Sequence, residues 1–83
     1  MQEKIIQIKE EMVGFLYRHF KGGVYWVMDI GVHTQTQELM VLYKNIDDDS
    51  LLWCRPLSIF NEEVANGKCK CKRFEKIYNN QFK

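Results

Sequence analysis

The chain is poor in proline, carries no long apolar run and has too few cysteines for a disulfide framework. Each absence excludes something. No apolar run approaches the ~18–20 residues that a membrane-spanning helix needs. Three cysteines, Cys54, Cys69 and Cys71, are an odd number, which argues against a stapled secreted fold. Cys69 and Cys71 stand one residue apart, too close along a strand to favour a disulfide. The first residues, Met1-Gln2-Glu3-Lys4-Ile5-Ile6-Gln7, lack the charged start and continuous apolar core of a signal peptide. These features predict a cytoplasmic protein with no membrane partner. Disorder is excluded as well, because 46% of the 83 residues are hydrophobic and 13% are aromatic. A chain of this length predicts one domain with a thin core.

Net charge is only +1, but it is unevenly distributed. Residues 1–65 balance to −4 and residues 66–83 to +5. The basic end holds Lys68, Lys70, Lys72, Arg73 and Lys76, an electrostatic patch that suits an anionic partner such as nucleic acid. A second reading stays open: lysines on an edge strand also guard against aggregation.

Periodicity predicts a short helix over residues 2–12, with Ile5, Ile8 and Met12 on one face and Gly14 as its stop. Strands are then predicted at Phe15–Phe20, Val24–Val32, Glu38–Lys44 and Leu51–Arg55, the last ended or placed at an edge by Pro56. Lys21-Gly22-Gly23 and Asn66-Gly67 are turn signals. Alternation places Val24, Trp26, Met28 and Ile30 on one face, read as core. A helical turn over residues 56–63 packs Leu57 and Phe60, and Lys68–Ile77 forms a last strand or arm. Several short strands with little helix predict a mainly β fold, a small antiparallel barrel. The organisation expected is a helix at 1–13, a barrel core at 14–65 and a basic strand or arm at 66–83.

Tyr17-Arg18-His19-Phe20-Lys21-Gly22, Tyr25 with Val27, His33, Glu38 leading into Val41 and Tyr43, and then Trp53, Arg55-Pro56-Leu57 and Phe60 form an ordered set. In that combination residues 17–60 resemble the DUF1653 family of small bacterial and phage proteins of unknown function. The resemblance implies an SH3-like β-barrel. It implies no activity, cofactor or catalytic residue. Cys54 stands where an aliphatic residue is expected between Trp53 and Arg55.

The candidate binding residues are Tyr17, Arg18, His19, Tyr25, His33, Trp53 and Arg55. Arginine offers a planar fork of donors for phosphate or carboxylate, and aromatic rings offer stacking platforms. One groove holding Arg18, Arg55, Tyr17, Tyr25 and Trp53 is one expectation. The other is that Arg18 and Arg55 pair with Asp29 or Glu38 and fix strand register. His19 and His33 have acid–base chemistry, but no nucleophile accompanies them, since Ser50 and Ser58 lack a glycine-elbow context. Histidines that hydrogen-bond strand ends are the simpler reading. The cysteines fit zinc spacing poorly, and Asp47-Asp48-Asp49 lacks the glycine and distal glutamate of a calcium loop. No metal, cofactor or catalysis is expected. The sequence reads as a non-catalytic binding module for nucleic acid or a protein, or as a self-associating homo-oligomer.

Overall fold

The computed structural model describes the backbone of residues 2–67 and 69–81. The chain runs α1 (Gln2–Met12), β1 (Phe15–His19), β2 (Val24–Val32), β3 (Leu39–Asn45), β4 (Trp53–Pro56), α2 (Leu57–Phe60), β5 (Glu63–Asn66), β6 (Cys69–Lys72) and β7 (Phe74–Gln81). The fold is therefore mainly β, as the sequence predicts. No helix among the described residues is long and apolar enough to cross a membrane.

The helix ends where glycine allows it. Gly14 adopts φ 87°, and its N–H donates to Val27 O at 2.9 Å, tying the turn from α1 into β1 to the neighbouring strand β2. Met12 is buried while Ile6 is 57% exposed, so only one face docks. Between β1 and β2, Gly22 and Gly23 both have positive φ, and His19 N–H donates to Gly23 O at 3.0 Å. That closes a tight hairpin only residues free of a Cβ form readily.

Two sheets result. Five antiparallel strands pair in the order β4-β3-β2-β1-β7, and β5 and β6 form a separate hairpin. The predicted strand over 68–77 is split instead. At Arg73 the chain passes from one partner strand to the other: its N–H donates to Glu62 O, just before β5, at 2.8 Å and its carbonyl accepts from Phe20 N–H, just after β1, at 3.0 Å. β5 takes up the end of the predicted helical turn, because α2 stops at Phe60.

The predicted alternation in β2 also fails, for a local reason. Val27 faces Tyr43 and Asp29 faces Leu42, so Met28 is an extra residue, a β-bulge. The bulge resets the alternation. Val27 and Ile30, 0% and 4% exposed, both point inward, and Trp26 and Met28 are left half-buried.

The core comprises Met12, Tyr17, Val27, Ile30, Val41, Tyr43, Phe60 and Phe74. Phe60 lies flat on Phe74, with centroids 4.1 Å apart and planes 3° apart. Phe74 stands on the outer strand β7, yet its ring lies 5.4 Å from Tyr43 on β3, and the Arg55 guanidinium on β4 sits 5.6 Å from it. The sheet is thus curled far enough for its two outer strands to meet through side chains. No backbone ladder joins β4 to β7 among the described residues.

Candidate functional site

The inner face of the curled sheet gathers some of the predicted residues and separates others. Register sets the grouping, since residues opposite one another share a face. Tyr17 faces Tyr25, His19 faces Phe74, Tyr43 faces Trp53, and Val41 faces Arg55. At one end of this face His19, Tyr25 and Arg55 surround Phe74. The His19 and Tyr25 ring centroids lie 4.8 and 5.7 Å from that of Phe74, and 6.4 Å from each other.

Arg55 is held from below. Its Nε–H donates to Tyr43 Oη at 3.2 Å, and the cation rests over the Phe74 ring. Its terminal nitrogens point to no carboxylate among the described residues. The sequence alternative, pairing of Arg18 or Arg55 with Asp29 or Glu38, is not adopted. Asp29 instead meets Lys9 at 3.3 Å and accepts from Ile30 N–H at 2.7 Å.

His19 Nδ1 accepts from the Lys21 backbone N–H at 3.1 Å. In the neutral ring this leaves the proton on Nε2. Burial, then the charges of Arg55, Arg73 and Lys21, hold the imidazole below its ordinary pKa, so it is neutral at pH 7. Three cations therefore face one uncharged donor.

The remaining candidates lie elsewhere. Tyr17 is 6% exposed and belongs to the core, its ring 5.2 Å from Phe60. Arg18 is exposed, on the opposite face of β1 from His19. With His19, Phe20, Cys71, Lys72 and Glu75 it lines a small cleft of about 140 Å³. Trp53 is 47% exposed and makes no ring contact among the described residues. His33 lies beyond the far end of β2. Its Nδ1 accepts from the N–H groups of Gln35 and Thr36 at 3.2 and 3.3 Å, so it staples the β2–β3 loop. The nine residues of β2 put His19 and His33 roughly 25 Å apart. They cannot serve one reacting group as acid and base.

The basic patch is partly consumed by the fold. Lys68 lies outside the described residues. Arg73 meets Glu62 at 3.4 Å and sits 5.9 Å over Phe20, while one of its donors, Nε–H, is buried without a partner among the described residues. The Lys76 ammonium lies 3.9 Å from the Phe15 centroid and donates to the Glu11 carbonyl. Lys70 and Lys72 face solvent. A wider groove of about 750 Å³ runs between α1 and β7, with Glu11, Met12, Tyr17, Phe74, Glu75 and Lys76 among its walls. Its charges are mixed. Among the described residues no group of three or more His, Cys, Asp or Glu side chains is placed to hold a metal, and all three cysteines are free thiols.

Sequence reasoning missed Tyr43, Phe74, Lys21 and Arg73 as neighbours of the site. For Tyr43 a signal existed: it alternates inward on the strand beside that of Arg55. For Phe74 none did, because its place depends on the curl of the whole sheet.

The profile of the DUF1653 family, described as a protein of unknown function, matches residues 15–76. The chain belongs to the DUF1653 family. The match extends past the 17–60 region read from the residues and takes in β5, β6 and the start of β7. A crystal structure of a DUF1653 protein from Bordetella bronchiseptica is similar, with a TM-score of 0.70 and 27% identity, covering 82% of this chain and 90% of that one. No curated protein matches. Membership in DUF1653 accounts for the fold and leaves the ligand to be argued from the side chains of this chain.

Proposed function

We propose that this DUF1653 chain is a non-catalytic binding module, with single-stranded nucleic acid as its first partner. The curled sheet acts as a small SH3-like barrel whose seam is closed by side chains. The observation that carries the reading is Arg55. It is half-buried, oriented by Tyr43 and Phe74, and has no carboxylate partner among the described residues. An ionised group in such a setting is usually paired. A ligand anion supplies the missing charge. Trp53, two residues earlier on the same face of β4 and 47% exposed, offers a base a stacking surface. Lys70 and Lys72 add long-range attraction. The three free thiols suit a reducing compartment and support a cytoplasmic location.

The test is amide NMR of labelled protein with short single-stranded oligonucleotides at low and raised salt. Shifts at His19, Tyr25, Trp53 and Arg55 that fade with salt are expected, because phosphate contacts release counterions. Shifts confined to Lys70 and Lys72 mean nonspecific charge attraction and end the reading.

A second reading has its own observation. Leu51, Leu52 and Trp53 are 55%, 54% and 47% exposed and lead into the outer strand β4. An apolar strip beside a strand edge that no described strand pairs with suits a protein partner or a second copy of this chain. Binding there is insensitive to salt and depends on Trp53 as an anchor. Mass in solution across a concentration series separates self-association from a foreign partner.

A further inference from the structure

We propose that His19, Tyr25 and Arg55, gathered on the Phe74 ring, form a site for a phosphate monoester, the terminal phosphate of an oligonucleotide or of a smaller phosphorylated molecule. The proposal rests on the reading of the Arg55 face as a binding surface and names the group that enters it.

Donor arithmetic leads there. Arg55 has five N–H donors, of which Tyr43 takes one. The four on its terminal nitrogens have no partner among the described residues. His19 spends Nδ1 on the Lys21 N–H, which leaves Nε2–H as a donor. The Tyr25 hydroxyl has no hydrogen-bond partner among the described residues. All three side chains are half-buried, neither sealed off nor freely mobile. Phe74 fixes them, with the His19 centroid at 4.8 Å, the Arg55 guanidinium at 5.6 Å and the Tyr25 centroid at 5.7 Å from its own. Phe20 extends the platform, 4.8 Å from His19, and carries Arg73 and Lys21 over its ring.

Charge supports the same conclusion. Arg55, Arg73 and Lys21 all bear on His19 electrostatically. Among the described residues the one carboxylate paired with any of them is Glu62, on Arg73. No described carboxylate pairs with Arg55 or Lys21, so the site is a field of cations and donors without an internal anion.

A monoester fits this better than an internal phosphodiester. Its three unesterified oxygens accept from a fork, an imidazole and a phenol at once, and near neutral pH it carries up to two charges. A diester has two free oxygens, one charge and chain on both sides. The neighbouring cleft at Arg18 and Lys72 is a poorer anion site, because the Glu75 carboxylate is in its wall.

The experiment titrates the labelled full chain at constant ionic strength with three probes. These are inorganic phosphate, a single-stranded oligonucleotide bearing a 5′-phosphate, and the same oligonucleotide ending in a 5′-hydroxyl. Inorganic phosphate is expected to shift the His19 ring and Arg55 Nε–H signals. The 5′-phosphate strand is expected to bind about tenfold tighter than the hydroxyl strand, the effect of one or two charge-assisted hydrogen bonds. Tyr25→Phe, which removes a hydroxyl and leaves the ring contacts, weakens the 5′-phosphate strand severalfold. Arg55→Lys, which keeps the charge and loses the fork, abolishes the preference, and Arg18→Ala leaves it intact. Equal binding of the two strands overturns the monoester site and leaves the nucleic-acid reading standing. Phosphate shifts at His19 with no binding of either strand support the site and overturn the nucleic-acid reading. Phosphate shifts confined to Lys70 and Lys72 overturn the site.

Discussion

Replacing Phe60 by alanine removes a side chain that is 0% exposed and touches three other core rings. Phenylalanine-to-alanine changes in a core cost about 3–5 kcal/mol. The Phe74 stack alone contributes roughly 0.5–1.5 kcal/mol beyond area. A domain of this size has about 4–12 kcal/mol in total. Phe60→Ala therefore removes about a quarter or more of the stability and in the worst case all of it. Phe60→Leu, a graded change, is expected to cost about 1–2 kcal/mol. That lowers Tm by roughly 5–15 °C. The neighbour Ile59 is 37% exposed, and Ile59→Ala should stay within about 0.5 kcal/mol. Urea unfolding followed by the fluorescence of Trp26 and Trp53 reads all three. A cost below about 1 kcal/mol for Phe60→Ala refutes the reasoning, because the one-turn helix α2 would then not be the cover of the core.

Other consequences can be checked in the same way. His19 is held below its ordinary pKa of 6.5, so an unfolded chain takes up a proton that the folded one refuses until lower pH. Stability is full above about pH 6.5 and declines as pH falls from there towards the folded value; in urea, His19→Gln should flatten that decline, and an unchanged slope contradicts it. Gly22 has φ 100° and nothing within 4 Å of an added Cβ, so Gly22→Ala costs about 1 kcal/mol or more through backbone strain alone. At Gly31 an added Cβ meets only the movable Leu42 Cδ1 at 3.4 Å, so Gly31→Ala should cost distinctly less. Met28→Ala is expected to be mild, and deletion of Met28, the extra residue, leaves Val27 opposite Tyr43 and Ile30 opposite Val41 on one face, so urea unfolding should stay cooperative; loss of cooperativity contradicts the bulge assignment.

Much of the fold was legible because its signals are local. Ile5, Ile8 and Met12 recur at helical spacing, Gly14 and Gly22-Gly23 stop and turn the chain, and Leu39, Val41 and Tyr43 alternate without interruption. The Met28 bulge was not legible. An extra residue shows itself only against its partner strand, and nothing in Trp26-Val27-Met28-Asp29 marks the reset. The break at Arg73 was hidden for a similar reason, since its backbone partners, Glu62 and Phe20, lie 11 and 53 residues away. In the site, Arg55, His19 and Tyr25 were visible as polar and aromatic decoration of strands. That they share Phe74 while Tyr17 sinks into the core and His33 staples a distant loop follows from strand order and curl, which residue types alone do not encode.

The side-chain seam has a consequence for how the protein moves. β1, β2 and β3 are hydrogen-bonded on both sides, so their amide protons exchange with solvent only when much of the sheet opens. Among the described residues β4 is bonded on one side and meets β7 through Arg55, Tyr43 and Phe74. It can swing outward without breaking the central ladders. Its amides should exchange early, in an opening cheaper than global unfolding, and an anion held by Arg55 should slow them while leaving β2 unchanged.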